Sequence, residues 1–190
     1  MPKNSKKFPP SAKRVFKGVL FDIWQWKQKI YNGRVETFER VIRSDSVQVI
    51  AVVGKRIIIQ EQLQPSWPKA MLTFPGGRAD EGGSILEEAK RELLEETGYV
   101  SDDWALWKTV KPSMTVIFTI YIFVARNCRK VARPQLDGGE KIKNKLASFD
   151  KFLLLSENPR FRESEVAAEM LRARLNKRNK TRLHKLLFKK

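Results

Sequence analysis

The chain has 190 residues, 38 Lys and Arg against 21 Asp and Glu, a net charge of +17, one Cys and one His. That length suits one domain with extensions. A lone Cys128 excludes an intramolecular disulfide, and a lone His184 leaves no material for a histidine metal centre or for a histidine-dependent serine or cysteine triad.

The excess charge sits at the ends. Residues 1–18 carry six bases and no acid, residues 171–190 carry nine bases and no acid, and between them 23 bases nearly balance 21 acids. Such ends either lie solvated or hold a polyanion by releasing its counterions. Residues 1–15, with Lys6-Lys7-Phe8-Pro9-Pro10-Ser11, read as a basic disordered tail. A main domain is expected over 16–170 and a basic, helical tail over 171–190.

Along the main domain, 35–43 and 46–53 are β-branched and apolar, and Val53-Gly54-Lys55-Arg56 predicts a tight hairpin into a strand over 57–62. Gln64-Pro65-Ser66-Trp67-Pro68 breaks regularity, and 71–74 is a short strand ending at Pro75-Gly76-Gly77. A helix follows. Ser84 and Glu87 have capping-box spacing, and Gly98 supplies a left-handed stop. Strands are expected over 104–110, 115–125 and 141–149. From Glu163 onward Val166, Met170, Leu171, Leu175, Leu183, Leu186 and Leu187 recur at near-helical spacing, with a break near 176–179. Cys128 closes an apolar run and reads as a small packing residue. The run 116–125 is too short to span a bilayer, and the N-terminus lacks the apolar core of a signal peptide, so a soluble cytoplasmic protein is expected.

The helix between Ser84 and Gly98 carries the chemistry. Positions three and four apart share a helical face, so Glu92, Glu95 and Glu96 point the same way, with Glu88 one turn earlier. Like charges so placed repel one another unless a cation or basic partners intervene, and Mg²⁺ takes oxygen ligands of this kind and bridges them to phosphates. Arg91 can meet Glu87, Glu88 or Glu95. Ile85, Leu86, Ala89, Leu93 and Leu94 form the packing flank. The plainer reading is a solvated, charge-rich helix face.

The segment Gly77 to Tyr99, GRADEGGSILEEAKRELLEETGY, resembles the Nudix box, the signature of hydrolases that cleave nucleoside diphosphates linked to another moiety. Gly77 matches its first position, and Arg91, Glu92, Leu93, Glu95, Glu96, Gly98 and Tyr99 match its second half. The glutamate of the pattern five residues after the leading glycine is Gly83 here, and neither Asp80 nor Glu81 is in register to replace it. More widely, about 16–155 is similar to the ADP-ribose pyrophosphatase branch, although Gln62-Leu63-Gln64 stands where that branch often has Gln-aromatic-Arg.

The resemblance implies an α/β fold, an α/β/α sandwich around a mixed β-sheet, and a Mg²⁺- or Mn²⁺-dependent hydrolase that cuts a pyrophosphate bond in ADP-ribose or a related nucleotide sugar. Glu92, Glu95 and Glu96 become the metal ligands, with a Gly76 or Gly77 carbonyl as a further oxygen. Glu95 and Glu96 double as catalytic residues, joined by a carboxylate in a late loop. Asp137 and Glu140 are its candidates, Glu140 favoured, against the simpler reading of Asp-Gly-Gly as a polar turn. Gly76, Gly77, Arg91 and Trp67 are the substrate-binding candidates, Trp67 by stacking; Phe74 reads as packing, and Met114 flanks a cleft loop. Alternatives are an RNA 5′-end pyrophosphohydrolase, motivated by the basic tails, and a catalytically weak nucleotide-binding domain, motivated by Gly83. The branch commonly dimerises through its N-terminal β segment, here 19–43.

Overall fold

The computed structural model describes residues 8–79 and 83–189, so Asp80 and Glu81 lie outside the described residues. The chain forms two compact units: residues up to Asp45 together with Lys111–Thr119, and Ser46–Val110 together with Ile120 onward.

The smaller unit is a sheet of four strands, β1 (Lys13–Lys17), β2 (Asp22–Lys29), β3 (Val35–Ile42) and β9 (Val116–Ile117), in the order β1-β2-β3-β9. Order begins before the expected boundary at residue 16: β1 starts at Lys13, and Phe8 stacks on Trp24 at 5.2 Å. Trp26 in turn lies 6.2 Å from Phe38 and under Arg40.

In the larger unit β4 (Ser46–Val53), β5 (Arg56–Leu63), β8 (Asp103–Val110), β10 (Ile120–Arg126) and β12 (Lys141–Ser148) pair in the order β12-β5-β4-β10-β8, and β6 (Met71–Thr73) pairs with β5. A two-residue pair, β7 (Tyr99–Val100) with β11 (Arg129–Lys130), stands apart. β4 and β10 run parallel and the other pairs antiparallel, so the sheet is mixed. The strand expected over 115–125 is in fact two. Ile117 pairs with Ile42 in one unit and Ile120 with Ser46 in the other, and between them the Thr119 N–H donates to the Asp45 carboxylate at 2.7 Å. That side-chain bond satisfies the backbone where the chain changes sheet.

Strand alternation builds two cores. Val47, Val49, Ala51 and Ile58 face one side with Ala89 and Leu93 of α1 (Ile85–Thr97). Ile50, Val52, Ile57 and Ile59 face the other, against Phe152 and Leu153 of α2 (Phe149–Leu154), Val166 and Met170 of α3 (Ser164–Leu175), and Leu183 and Leu187 of α4 (Lys177–Leu187). Helices thus cover both faces, giving the α/β/α sandwich. The break expected near 176–179 falls at Asn176, whose side chain accepts from the Arg178 and Asn179 N–H groups and caps α4. α4 is basic outside and apolar inside, with Leu183 and Leu187 in the core and Leu186 packed against it. At 149 the expected strand turns into α2, capped by the Ser148 hydroxyl accepting from Lys151 N–H. Among the described residues no helix is long and apolar enough to cross a membrane.

α1 ends as its sequence demands. Gly98 sits at φ 74° and donates its N–H to the Leu94 carbonyl at 2.7 Å, and a Cβ there would collide with the Ala132 carbonyl oxygen. The start differs from expectation. Ser84 is the N-cap, but its hydroxyl makes no cap bond, and Glu87 reaches forward to Lys90 at 2.8 Å instead of back, so the capping box does not form. Replacing Gly98 by Ala combines a left-handed Cβ with a backbone collision. We expect it to lower stability by about 2 kcal/mol or more, read as a reduced urea midpoint with unchanged m-value; an unaltered midpoint would contradict this account of the helix stop.

Candidate active site

The acidic face of α1 meets two backbone glycines. Val47 N–H donates to the Gly77 carbonyl at 2.9 Å and Val49 N–H to the Pro75 carbonyl at 2.8 Å, which pins the Pro75-Gly76-Gly77 bend along β4. Gly76 is required by the backbone, whereas Gly77 leaves room for a carboxylate. A Cβ on Gly76 would strike the Val47 carbonyl oxygen, and one on Gly77 would strike the Glu92 carboxylate. Absence of side chains is what lets the helix carboxylates lie against the loop backbone.

Glu96 is the anchor. It is only 4 % exposed, and its Oε2 accepts from Gly76 N–H at 2.8 Å and from the Gln60 amide at 3.2 Å. The Asn144 amide of β12 donates to its backbone carbonyl at 2.8 Å. Burial pushes the Glu96 carboxyl up to about 8; the Gly76 hydrogen bond opposes this, and the charges of Glu92 and Glu140 add to it. Burial likewise raises Glu92 to about 7, against the pull of Arg91 and with the push of Glu95 and Glu140.

Glu140 completes the group from across the sheet. Asp137 to Glu140 is a turn closed by Glu140 N–H on the Asp137 carbonyl at 2.9 Å, so the turn and the site residue are one feature. The Glu140 Oε1 accepts from Gln64 at 3.0 Å and Gln62 at 3.5 Å. Its pKa is raised, first by burial and then by the Asp137 charge, with Glu95 contributing. The two glutamines that stand where the related branch has Gln and Arg therefore hold a carboxylate.

Arg91 bridges the helix acids, donating to Glu88 at 2.9 Å, Glu92 at 2.8 Å and Glu95 at 2.5 Å. Gly83 lies beside the same Glu88, whose Oε1 is 3.1 Å from where a Gly83 Cβ would stand. Trp67 is half-buried, with the Arg162 guanidinium 4.3 Å over its ring. Phe74 is buried against Phe152 and Phe161, a packing residue. Met114 is 82 % exposed on the smaller unit. Cys128 is buried, and burial raises its thiol to about 11, as suits an inert packing residue.

Sequence reasoning did not find Gln60 or Asn144 and gave Gln62 no role beyond its place in the Gln62-Leu63-Gln64 triplet. A signal was present: in Ile58, Gln60 and Gln62 the period-two alternation carries an apolar stripe into two amides on the face that α1 covers.

The donor set fits a hard divalent cation: oxygen ligands only, with Glu92 and Glu96 held largely out of water, beside a backbone bend free of side chains. Among the described residues no three acidic, His or Cys side chains already close round one point. The oxygens of Glu92 and Glu95 are instead turned to Arg91, so a cation would have to displace the guanidinium.

The Nudix domain family model matches residues 43–172, and the chain belongs to that family. It is 29% identical over 92 residues to an ADP-ribose pyrophosphatase of Bacillus subtilis (strain 168), an alignment covering 48% of this chain and 50% of that one. It is 31% identical over 150 residues to an uncharacterized Nudix hydrolase of Schizosaccharomyces pombe, covering 66% and 70%, and 26% identical over 100 residues to the ADP compounds hydrolase NudE of Escherichia coli (strain K12), covering 52% and 54%. The chain thus spans about half the length of the Bacillus subtilis relative. A crystal structure of an ADP compounds hydrolase superposes with a TM-score of 0.72 at 23% identity, covering 87% of this chain and 92% of that one, a likeness of fold.

The raised carboxyls give the site a proton signature. For an acid whose folded-state pKa lies above its unfolded value, the folded state holds the extra proton between the two, so metal-free stability falls as pH rises from about 4.5 toward about 7 to 8. A cation bound by these carboxylates would replace those protons. Titration calorimetry of Mg²⁺ in buffers of different ionisation enthalpy should show proton release near pH 7 and tighter binding from about pH 6 to about pH 8; pH-independent affinity without proton release would contradict this.

Proposed function

We propose that this chain is a divalent-cation-dependent hydrolase that cuts a pyrophosphate bond in a nucleoside diphosphate derivative, with ADP-ribose or a related nucleotide sugar as substrate. The observation that carries the reading is the meeting of Glu92, Glu95 and Glu96 on one helix face with Glu140 from a late loop, beside the Gly76-Gly77 bend. Membership of the Nudix family and relatives named for ADP-ribose and ADP compounds support it.

In this reading Glu92, Glu95 and Glu96 hold Mg²⁺ or Mn²⁺ with a carbonyl of the glycine bend. The Gly77 carbonyl already accepts from Val47, so it offers its second lone pair. The cation when bound supplies neutralisation of phosphate charge and a more acidic water. The remaining work belongs to the chain. The Gly76 N–H keeps the Glu96 carboxylate in place, and the bend lets backbone approach the diphosphate. Arg91, once released from the carboxylates, is free to meet a phosphate oxygen. Glu140, with its raised pKa and two amide donors, accepts the proton of the attacking water. Trp67, braced on one face by Arg162, stacks against the base or ribose. A cytoplasmic setting is part of this proposal.

A second reading, hydrolysis at an RNA 5′ end, is favoured by one observation: α4 exposes Lys177, Arg178, Arg182 and Lys185 on its outer face. Both readings, and the weak-turnover reading that Gly83 motivates, meet in one assay. Purified protein with Mg²⁺ or Mn²⁺ is given ADP-ribose, nucleotide sugars, dinucleotides, nucleoside triphosphates and 5′-capped or triphosphorylated RNA. ADP-ribose should turn over fastest, with kcat falling about 10²- to 10⁴-fold in Glu96→Gln or Glu140→Gln. Preference for RNA would shift the substrate class, and no turnover of any member with either metal would reject the proposal.

We also propose a homodimer through the smaller unit, whose β1–β2 turn exposes Phe16, Val19, Leu20 and Phe21, Val19 at 97 %. Apolar side chains exposed together on one turn mark an interaction surface. Sedimentation equilibrium should give a dimer for the native chain and a monomer for Val19→Asp/Phe21→Asp; a monomeric native chain would contradict it.

A further inference from the structure

The larger unit has a second concavity, at the opposite end of β4 from the acidic site. The β4–β5 turn, the end of β10 and the C-terminal end of α4 enclose a cavity of about 720 Å³, within the ~300–1,000 Å³ range of small-ligand pockets. Val47 at one end of β4 holds the Gly77 carbonyl, whereas Val52 and Gly54 at the other line this cavity. At ~3.3 Å per residue the intervening strand is roughly 20 Å long. The two sites are therefore separate.

Its lining combines two chemistries. Lys55, Lys185 and Lys189 bring positive charge from the turn and from the chain end, and none of them forms an ion pair among the described residues. Beside them Phe149, His184 and Phe188 form one aromatic group, with ring centroids 5.0 Å (Phe149 to His184), 4.8 Å (His184 to Phe188) and 5.9 Å (Phe149 to Phe188) apart. The wall behind them is rigid. Arg126, 3 % exposed, donates to both Asp103 oxygens at 2.8 and 2.5 Å and to the Leu186 carbonyl at 3.0 Å, which fixes the end of α4 to β10. Asp103, held by Arg126, also feels the charge of Lys189, so Lys55 and Lys185 are the lining lysines that no ion pair or carboxylate charge offsets among the described residues.

Lys55 and Lys185 beside an exposed His184 ring and the half-buried Phe149 and Phe188, in a nucleotide-sized cavity, match a ligand that carries phosphate at one end and an aromatic base at the other. Lysines hold phosphate as point charges, and aromatic side chains accept any base through its π-face. An acidic peptide would use the lysines and leave the rings idle. We propose that this cavity binds a nucleotide, its phosphates on Lys55 and Lys185 and its base against the Phe149, His184 and Phe188 group, as a free molecule or as the end of an oligonucleotide.

The test is titration calorimetry of the full chain with ADP, inorganic pyrophosphate and a 5′-phosphorylated RNA octamer, all with chelator present. ADP should bind at least tenfold tighter than pyrophosphate, weaken at least tenfold in Lys55→Ala/Lys185→Ala, and hold within about threefold in Lys55→Arg/Lys185→Arg. Glu96→Gln should leave it unchanged, which separates this site from the acidic one whether or not that one hydrolyses. Tighter octamer binding through the same lysines assigns the site to a strand end, and tighter ADP binding assigns it to a free nucleotide. No ADP binding, equal affinity for pyrophosphate, or indifference to the alanine substitutions would overturn the proposal.

Discussion

A buried carboxylate held by a backbone N–H is the contact on which this structure turns. Glu96 joins four elements at once: its own helix, the glycine bend through Gly76, β5 through Gln60 and β12 through Asn144. An ionised carboxyl taken out of water is costly unless its oxygens are occupied. Burial raising its pKa to about 8 is the visible sign that one N–H and one amide do not fully offset that cost. In the proposed function, a bound cation would supply the positive charge that offsets it.

Arg91 supplies some of that charge within the chain itself. Its guanidinium spans Glu88, Glu92 and Glu95, relieving the repulsion that three acids on one helical face would otherwise create. These pairs are partly solvent-exposed and individually weak, so they are suited to be exchanged for a cation. The sandwich provides what the exchange needs in rigidity. α1 is bolted to the sheet through Ala89 and Leu93, both fully buried, while the opposite face of the same strands is filled by α2, α3 and α4.

Much of this was legible from residue types. Gly98 as a helix stop, the glycine bend before an acidic helix, the β4–β5 hairpin and the helical spacing of Val166 to Leu187 each rest on local stereochemistry, and local stereochemistry is written in neighbouring residues. What escaped depended on partners distant in sequence. The strand over 115–125 divides because the Asp45 carboxylate, 74 residues away, takes the Thr119 N–H. The Ser84–Glu87 box fails because Lys90 offers Glu87 a charged partner. Gln60 and Asn144 gain their roles only when β5 and β12 pair in register, Gln60 opposite Asn144, and bring both amides under α1. The C-terminal bases looked like a solvated run, yet Leu183 and Leu187 between them belong to the core, while Leu175 is exposed.

The claim that the α1 carboxylates and the glycine bend hold a catalytic cation is most directly tested by growing crystals, soaking them in Mn²⁺ and collecting anomalous diffraction. An anomalous peak at about 2.1 to 2.2 Å from oxygens of Glu92, Glu95 and Glu96, with Arg91 swung away from them, is the expected result. No peak there, with Arg91 still seated on all three of its carboxylates even when ADP-ribose is supplied, would contradict the account.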